Sequence, residues 1–104
     1  MLLLLLAAFP AHAQEATLRK LNAQATDLYR QAKYTEAVRT GQDALKIAEK
    51  TFGPSHREVA TALSNLAEYQ RAHGNSGEAE NLLKRALAID QKVLGAEVPD
   101  VAVD

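Results

Sequence analysis

Few side chains in this sequence are of a type and spacing that could do chemistry. The three histidines are His12, His56 and His73. They lie far apart in the chain, and none sits beside the Glu or Asp pattern that a metal site or a catalytic dyad needs. Glu78 and Glu80 are two residues apart, so on a helix they point to different faces and cannot work as a carboxylate pair. Ser55, Ser64 and Ser76 lack the strand-to-helix glycine context of a nucleophile elbow. Gly74-Asn75-Ser76-Gly77 is rich in turn formers but is not followed by the Lys-Ser/Thr pair of a phosphate loop. With no cysteine, thiolate metal ligands, disulfides, cysteine nucleophiles and a lipoprotein anchor are all excluded. The reading is a chain with no catalytic, cofactor-binding or metal-binding residues, and hence no enzyme.

The overall balance points the same way. Twelve basic and 13 acidic residues nearly cancel. The basic excess on one face that marks a nucleic-acid binder is missing, and the pairs Arg19-Lys20 and Lys84-Arg85 read as solvated helix surface. Helix-favouring Ala, Leu, Glu, Gln, Lys and Arg dominate. Aromatics make up only 5%, too few for a strand-rich fold, so the expected class is all-α.

The start of the chain reads differently from the rest. Leu2 to Leu6 and then Ala7-Ala8-Phe9-Pro10 form a short apolar run, followed by Ala11-His12-Ala13. An apolar stretch ending in small-x-small has the shape of a secretory signal peptide, here residues 1–13 with cleavage after Ala13. Its n-region is incomplete, because no Lys or Arg precedes Arg19. The run is shorter than the roughly 20 residues a bilayer demands. The expectation is an exported protein, periplasmic or extracellular, with no membrane association in its mature form. The core must then come from about 90 residues, a small number for an independent domain.

Laid upon itself at an offset of 42, the remainder aligns without a gap. Leu21 meets Leu63, Ala25 meets Ala67, and Glu36-Ala37 meets Glu78-Ala79. Ala44-Leu45 meets Ala86-Leu87, Ile47 meets Ile89, and Gly53 meets Gly95. The matches are mostly small or apolar, which makes them packing positions, and a fixed period of this size is the sign of a stacked repeat architecture. Each unit reads as two helices. The first spans about 15–32, with Leu18, Leu21, Ala25 and Leu28 on one face. The second spans about 35–51, with Ala37, Val38, Ala44, Leu45 and Ala48 together, and stops at Gly53-Pro54. Ser55 and Glu58 have the spacing of a capping box for a third helix, which runs to about residue 73 and buries Val59, Leu63, Leu66 and Ala67. After the turn at 73–77, a fourth helix buries Ala79, Leu82, Leu83, Ala86, Leu87 and Val93. The expected domains are two repeats, at about 16–55 and 56–97, with 98–104 opening a truncated third.

The second unit, through Leu63-Ser64-Asn65-Leu66-Ala67, Gly74, Glu78-Ala79, Arg85-Ala86-Leu87 and Leu94-Gly95, resembles the kinesin-light-chain type of tetratricopeptide repeat. So does the first, through Ala25, Tyr34, Glu36-Ala37, Ala44-Leu45 and Phe52-Gly53-Pro54, with His56 and Val59-Ala60 matching the junction between units. Arg57, Ala32 and Gly41 depart from the pattern, standing where a proline, a turn glycine and a larger apolar residue are usual. An interior helix glycine costs about 1 kcal/mol relative to alanine, so the first unit should be the looser.

The resemblance implies an α-solenoid of antiparallel helix pairs that binds a protein or peptide along the concave face lined by the first helix of each unit. Polar residues off the buried stripe then become the groove: Arg19, Asn22, Thr26 and Tyr29 on the first helix, and Ser64, Asn65, Glu68 and Arg71 on the third. Asn can bond both edges of a peptide group, and Arg can grip a carboxylate bidentately. Val98-Pro99-Asp100-Val101-Ala102 repeats the junction before the third helix, so the chain reads as the opening of a longer array without a polar C-terminal cap. Two alternatives stand beside a free-standing interaction module of bacterial type, the first implied by the resemblance and the second by the uncapped end of the array. One is the N-terminal recruiting arm of a multidomain enzyme with a CHAT protease-like or hydrolase domain. The other is a small helical protein that self-associates through its uncapped end.

Overall fold

The computed structural model describes residues 11–97; of the leader read at 1–13, residues 1–10 lie outside this range, as does the third-repeat start at 98–104, while residues 11–13 form the first turn of the opening helix. Four antiparallel helices follow one another: α1 (Ala11–Arg30), α2 (Tyr34–Phe52), α3 (Arg57–Ala72) and α4 (Ser76–Glu97). No strand occurs among the described residues. Each helix packs on its neighbours in sequence, so the core is a continuous seam rather than a central ball. It is built from Leu18 and Ala25 of α1, Ala37, Ala44 and Ala48 of α2, Val59, Leu63, Leu66 and Ala67 of α3, and Ala79, Leu82, Ala86 and Ile89 of α4. Alternating alanine with leucine lets helix axes approach while the larger side chains fill the gaps.

The two hairpin turns are built alike. At the end of α1, the Lys33 N–H donates to the Leu28 carbonyl at 2.8 Å and the Ala32 N–H to that of Tyr29 at 3.0 Å. At the end of α3, the Asn75 N–H donates to Gln70 at 2.8 Å and the Gly74 N–H to Arg71 at 3.0 Å. Both are Schellman closures, which require a left-handed residue just past the helix. Gly74 adopts it freely at φ 101°, whereas Ala32 is forced into it at φ 62°. That costs an alanine about 1–2 kcal/mol.

Three expectations from the sequence need correction. The capping box at Ser55–Glu58 does not form. His56 is the N-cap instead, its Nδ1 accepting from the Glu58 N–H at 2.9 Å, with its ring stacked on Phe52 at 4.5 Å between centroids. The helix therefore begins one residue later than a serine cap would allow. Leu83 and Leu87 are not core residues; they are 50% and 57% exposed, because no helix covers that side of α4 among the described residues. Gly41, which looked like a flaw, is buried where α2 meets α3. A Cβ there would sit 3.1 Å from Cδ2 of Tyr69 and 3.2 Å from Cδ1 of Leu66. The missing side chain is what makes room for the Tyr69 ring.

Candidate functional site

α1 and α3 are the first helices of their units, and their ends come together through aromatic rings. The Tyr29 ring lies tilted against Tyr69 at 5.3 Å and against Tyr34 at 5.8 Å between centroids. Such tilted pairs at these distances are attractive beyond their shared area. Tyr69 is buried while Tyr29 and Tyr34 are half-buried, so the cluster has a fixed base and a partly open rim. Gly41 beneath Tyr69 sets how deep the base sits.

Polar groups ring this rim. The Tyr29 hydroxyl donates to Glu68 Oε2 at 3.4 Å, joining α1 to α3. The same carboxylate oxygen accepts from the Arg71 guanidinium in an ion pair one helical turn along α3. Packing against neighbouring groups, followed by the Glu68 carboxylate, holds the Tyr29 hydroxyl above the ordinary phenol range. The hydrogen bond from Arg71 to Glu68, and then the Glu68 charge, stabilise the charged guanidinium further. The pair is well exposed, with side chains 63% and 47% accessible, so water screens it and it contributes little to stability.

The structure thus brings Tyr29, Glu68 and Arg71 into one cluster. Ser64 and Asn65 are half-buried on α3, one turn before Glu68. Asn22 and Thr26 are half-buried on α1, but the Thr26 hydroxyl donates to the Asn22 carbonyl at 2.9 Å, which leaves it only acceptor capacity toward a ligand. Arg19 is exposed near the start of α1, where with Asn22, Leu18, Phe52 and Glu58 it lines a hollow of about 120 Å³. The eight groove candidates therefore form two groups along one pair of helices: a basic and amide end at Arg19–Asn22 and an aromatic end at Tyr29–Arg71. Sequence reasoning missed Tyr69 and Tyr34 as members. Tyr69 falls on the buried stripe of α3 at the spacing of Leu66 and Ala62, a signal that could have placed it.

On the opposite side, Arg85 of α4 pairs with Glu49 of α2. This bridge ties the second helices of the two units together, and Arg85 is more than solvated surface. Among the described residues, no three His, Cys, Asp or Glu side chains are placed to hold a metal. No described helix is long and apolar enough to cross a membrane.

Comparison with known proteins accords with this geometry. No curated protein matches the sequence. The profile of the tetratricopeptide repeat family matches residues 16–92, which takes in most of α1, all of α2 and α3, and most of α4. Tetratricopeptide repeats are scaffolds that bind protein partners, and this chain, with its two stacked helix hairpins, belongs to that family.

Proposed function

We propose that the chain is an interaction scaffold whose ligand, an extended peptide or a partner helix, lies along the face shared by α1 and α3. The observation that carries this is the Tyr29–Glu68–Arg71 cluster. It joins the two first helices by exposed polar groups over an aromatic base. A ligand carboxylate can take the Arg71 guanidinium in exchange for Glu68, and a backbone amide can bond Asn65 or Asn22. In this reading the chain does no chemistry of its own. The near-equal acidic and basic counts favour protein over nucleic-acid partners. The 42-residue period supports the kinesin-light-chain type of repeat, and the apolar run at 1–13 supports an exported, periplasmic or extracellular location.

A random peptide library displayed on phage and selected on the chain tests the groove. Selected peptides should bind the Asn65→Ala, Arg71→Glu double variant at least tenfold more weakly than the parent. Equal binding, with the variant's helical circular dichroism intact, would remove the groove assignment. Mass spectrometry of the protein recovered from a periplasmic fraction tests export, with Gln14 as the expected first residue.

A further inference from the structure

Position 41 lies on α2, which supplies none of the eight groove candidates, yet it reaches the groove through one side chain. Gly41 is inside a helix and does not have a positive φ, so its backbone conformation is open to any residue. Glycine is disfavoured there relative to alanine. What the missing side chain admits is an edge of the Tyr69 ring. A Cβ at position 41 would meet Cδ2 and Cε2 of Tyr69 at 3.1 and 3.3 Å and Cδ1 of Leu66 at 3.2 Å. The helical glycines of α4, Gly77 and Gly95, have nothing within 4 Å of the same point.

A ring pushed by a few tenths of an ångström passes the movement on. Tyr69 and Leu66 are both buried, and a close-packed interior offers a ring little space to retreat into. Tyr29, 5.3 Å from Tyr69 between centroids, is half-buried at the open rim, so it is the neighbour with room to move. Its hydroxyl reaches Glu68 Oε2 at 3.4 Å, already long for a bond between oxygens, so a small outward shift breaks it. Glu68 is then left to Arg71 alone, and this tie between α1 and α3 is lost.

We infer that Gly41 is a positioning residue for the groove. By letting the Tyr69 edge settle against α2, it sets where Tyr29 stands relative to Glu68 and Arg71, and so how tightly the groove holds its ligand. Gly41 itself touches no ligand. The inference rests on the ligand face proposed for α1 and α3. It adds that the packing of α2 on α3 controls the aromatic end of that face, so binding depends on a residue outside it.

The test uses the full chain and a phage-selected peptide, with the ring-proton chemical shifts of Tyr29 as a readout that needs no ligand. Gly41→Ala should move those shifts and weaken peptide binding about three- to tenfold, the scale of coupling between side chains in contact. Gly77→Ala, the same change where nothing is in reach, should do neither. Tyr69→Leu removes the ring edge, so adding Gly41→Ala to it should change nothing further. Unmoved Tyr29 shifts in Gly41→Ala would overturn the inference, as would an equal effect of Gly41→Ala with and without the Tyr69 ring. Peptide binding that survives Gly41→Ala but is lost in the Asn65→Ala, Arg71→Glu variant overturns the positioning role and keeps the groove. Binding that survives both removes the groove and the inference with it. Tyr29→Phe deletes the Glu68 tie with no crowding at α2, and should weaken the peptide to a similar extent. Unaltered binding there overturns the last step, even where Gly41→Ala lowers the helical circular dichroism.

Discussion

The first and second units solve the same two structural problems with different residues. At the hairpin turn, the second unit uses Gly74 and adds a side-chain bond, in which Asn75 Nδ2 donates to Oε1 of the buried Gln70 at 2.7 Å. The first unit closes an identical backbone pattern with Ala32, and Leu28 occupies the register of Gln70. On the outer side of the second helix, the first unit has Gly41 beneath Tyr69 and the second has Leu83 facing outward. The lesson is that a repeat position is defined by its neighbour as much as by its own unit. Gly41 leaves room for a tyrosine from the next hairpin, whereas no such ring lies over Leu83 among the described residues.

Making the first unit look like the second should therefore break the fold at one place and strengthen it at another. The largest effect is expected for Gly41→Leu. Its Cβ alone starts 3.1 Å from Tyr69 and 3.2 Å from Leu66, so a leucine there requires both side chains to move. Overpacking on this scale costs upwards of about 3 kcal/mol, against the roughly 0.8 kcal/mol that helix propensity returns. A net loss of about 2 kcal/mol should lower the melting temperature by roughly 10 °C in thermal circular dichroism. A neutral or stabilised variant would show that the contact between α2 and α3 is not close.

Next come the two changes that make the second turn resemble the first. Asn75→Ala leaves the buried Gln70 amide without its partner, and Gly74→Ala forces an alanine to φ 101°. Each should cost about 1–2 kcal/mol in urea unfolding. The converse change, Ala32→Gly, relieves the left-handed alanine and should stabilise by up to about 1 kcal/mol, less whatever glycine adds to the freedom of the unfolded chain. If Ala32→Gly destabilised the protein, the two turns would not be equivalent.

The smallest expected effect is electrostatic. Tyr29 titrates above the ordinary phenol value, through packing first and Glu68 second. A phenol whose folded value is raised favours the folded state while it is protonated. That contribution is complete below the unfolded value and fades as pH rises through the folded one. Glu68→Gln should move the Tyr29 midpoint down toward 10 in an ultraviolet titration, without altering the melting curve at neutral pH. An unmoved midpoint would mean that packing alone sets it.

Much of this fold was legible in the sequence because the 42-residue register repeats small and large apolar residues, and that pattern dictates paired helices whatever the surface carries. Gly53-Pro54 and the 73–77 turn marked their boundaries for the same local reason. Contacts between helices were not legible. The value of Gly41 rests on Tyr69, and the Tyr29–Glu68 bond spans 39 residues, so neither follows from any local spacing. Leu83 and Leu87 show a further limit: periodicity reveals which residues are apolar, but not whether a neighbour is there to cover them. The cap at His56 escaped because a Ser–Glu pair at capping-box spacing stood beside it, and only the stacking of His56 on Phe52 decides between them. For the groove, residue type identified the eight candidates, while helix register grouped them into an amide end and an aromatic end.

The central claim is that ligands use the face shared by α1 and α3. Backbone amide chemical shifts of the isotope-labelled chain, recorded while a selected peptide is titrated in, test it most directly. The account predicts that the shifts concentrate along Arg19, Asn22 and Tyr29 of α1 and Asn65, Glu68 and Arg71 of α3. Shifts confined to α2 and α4 would contradict it.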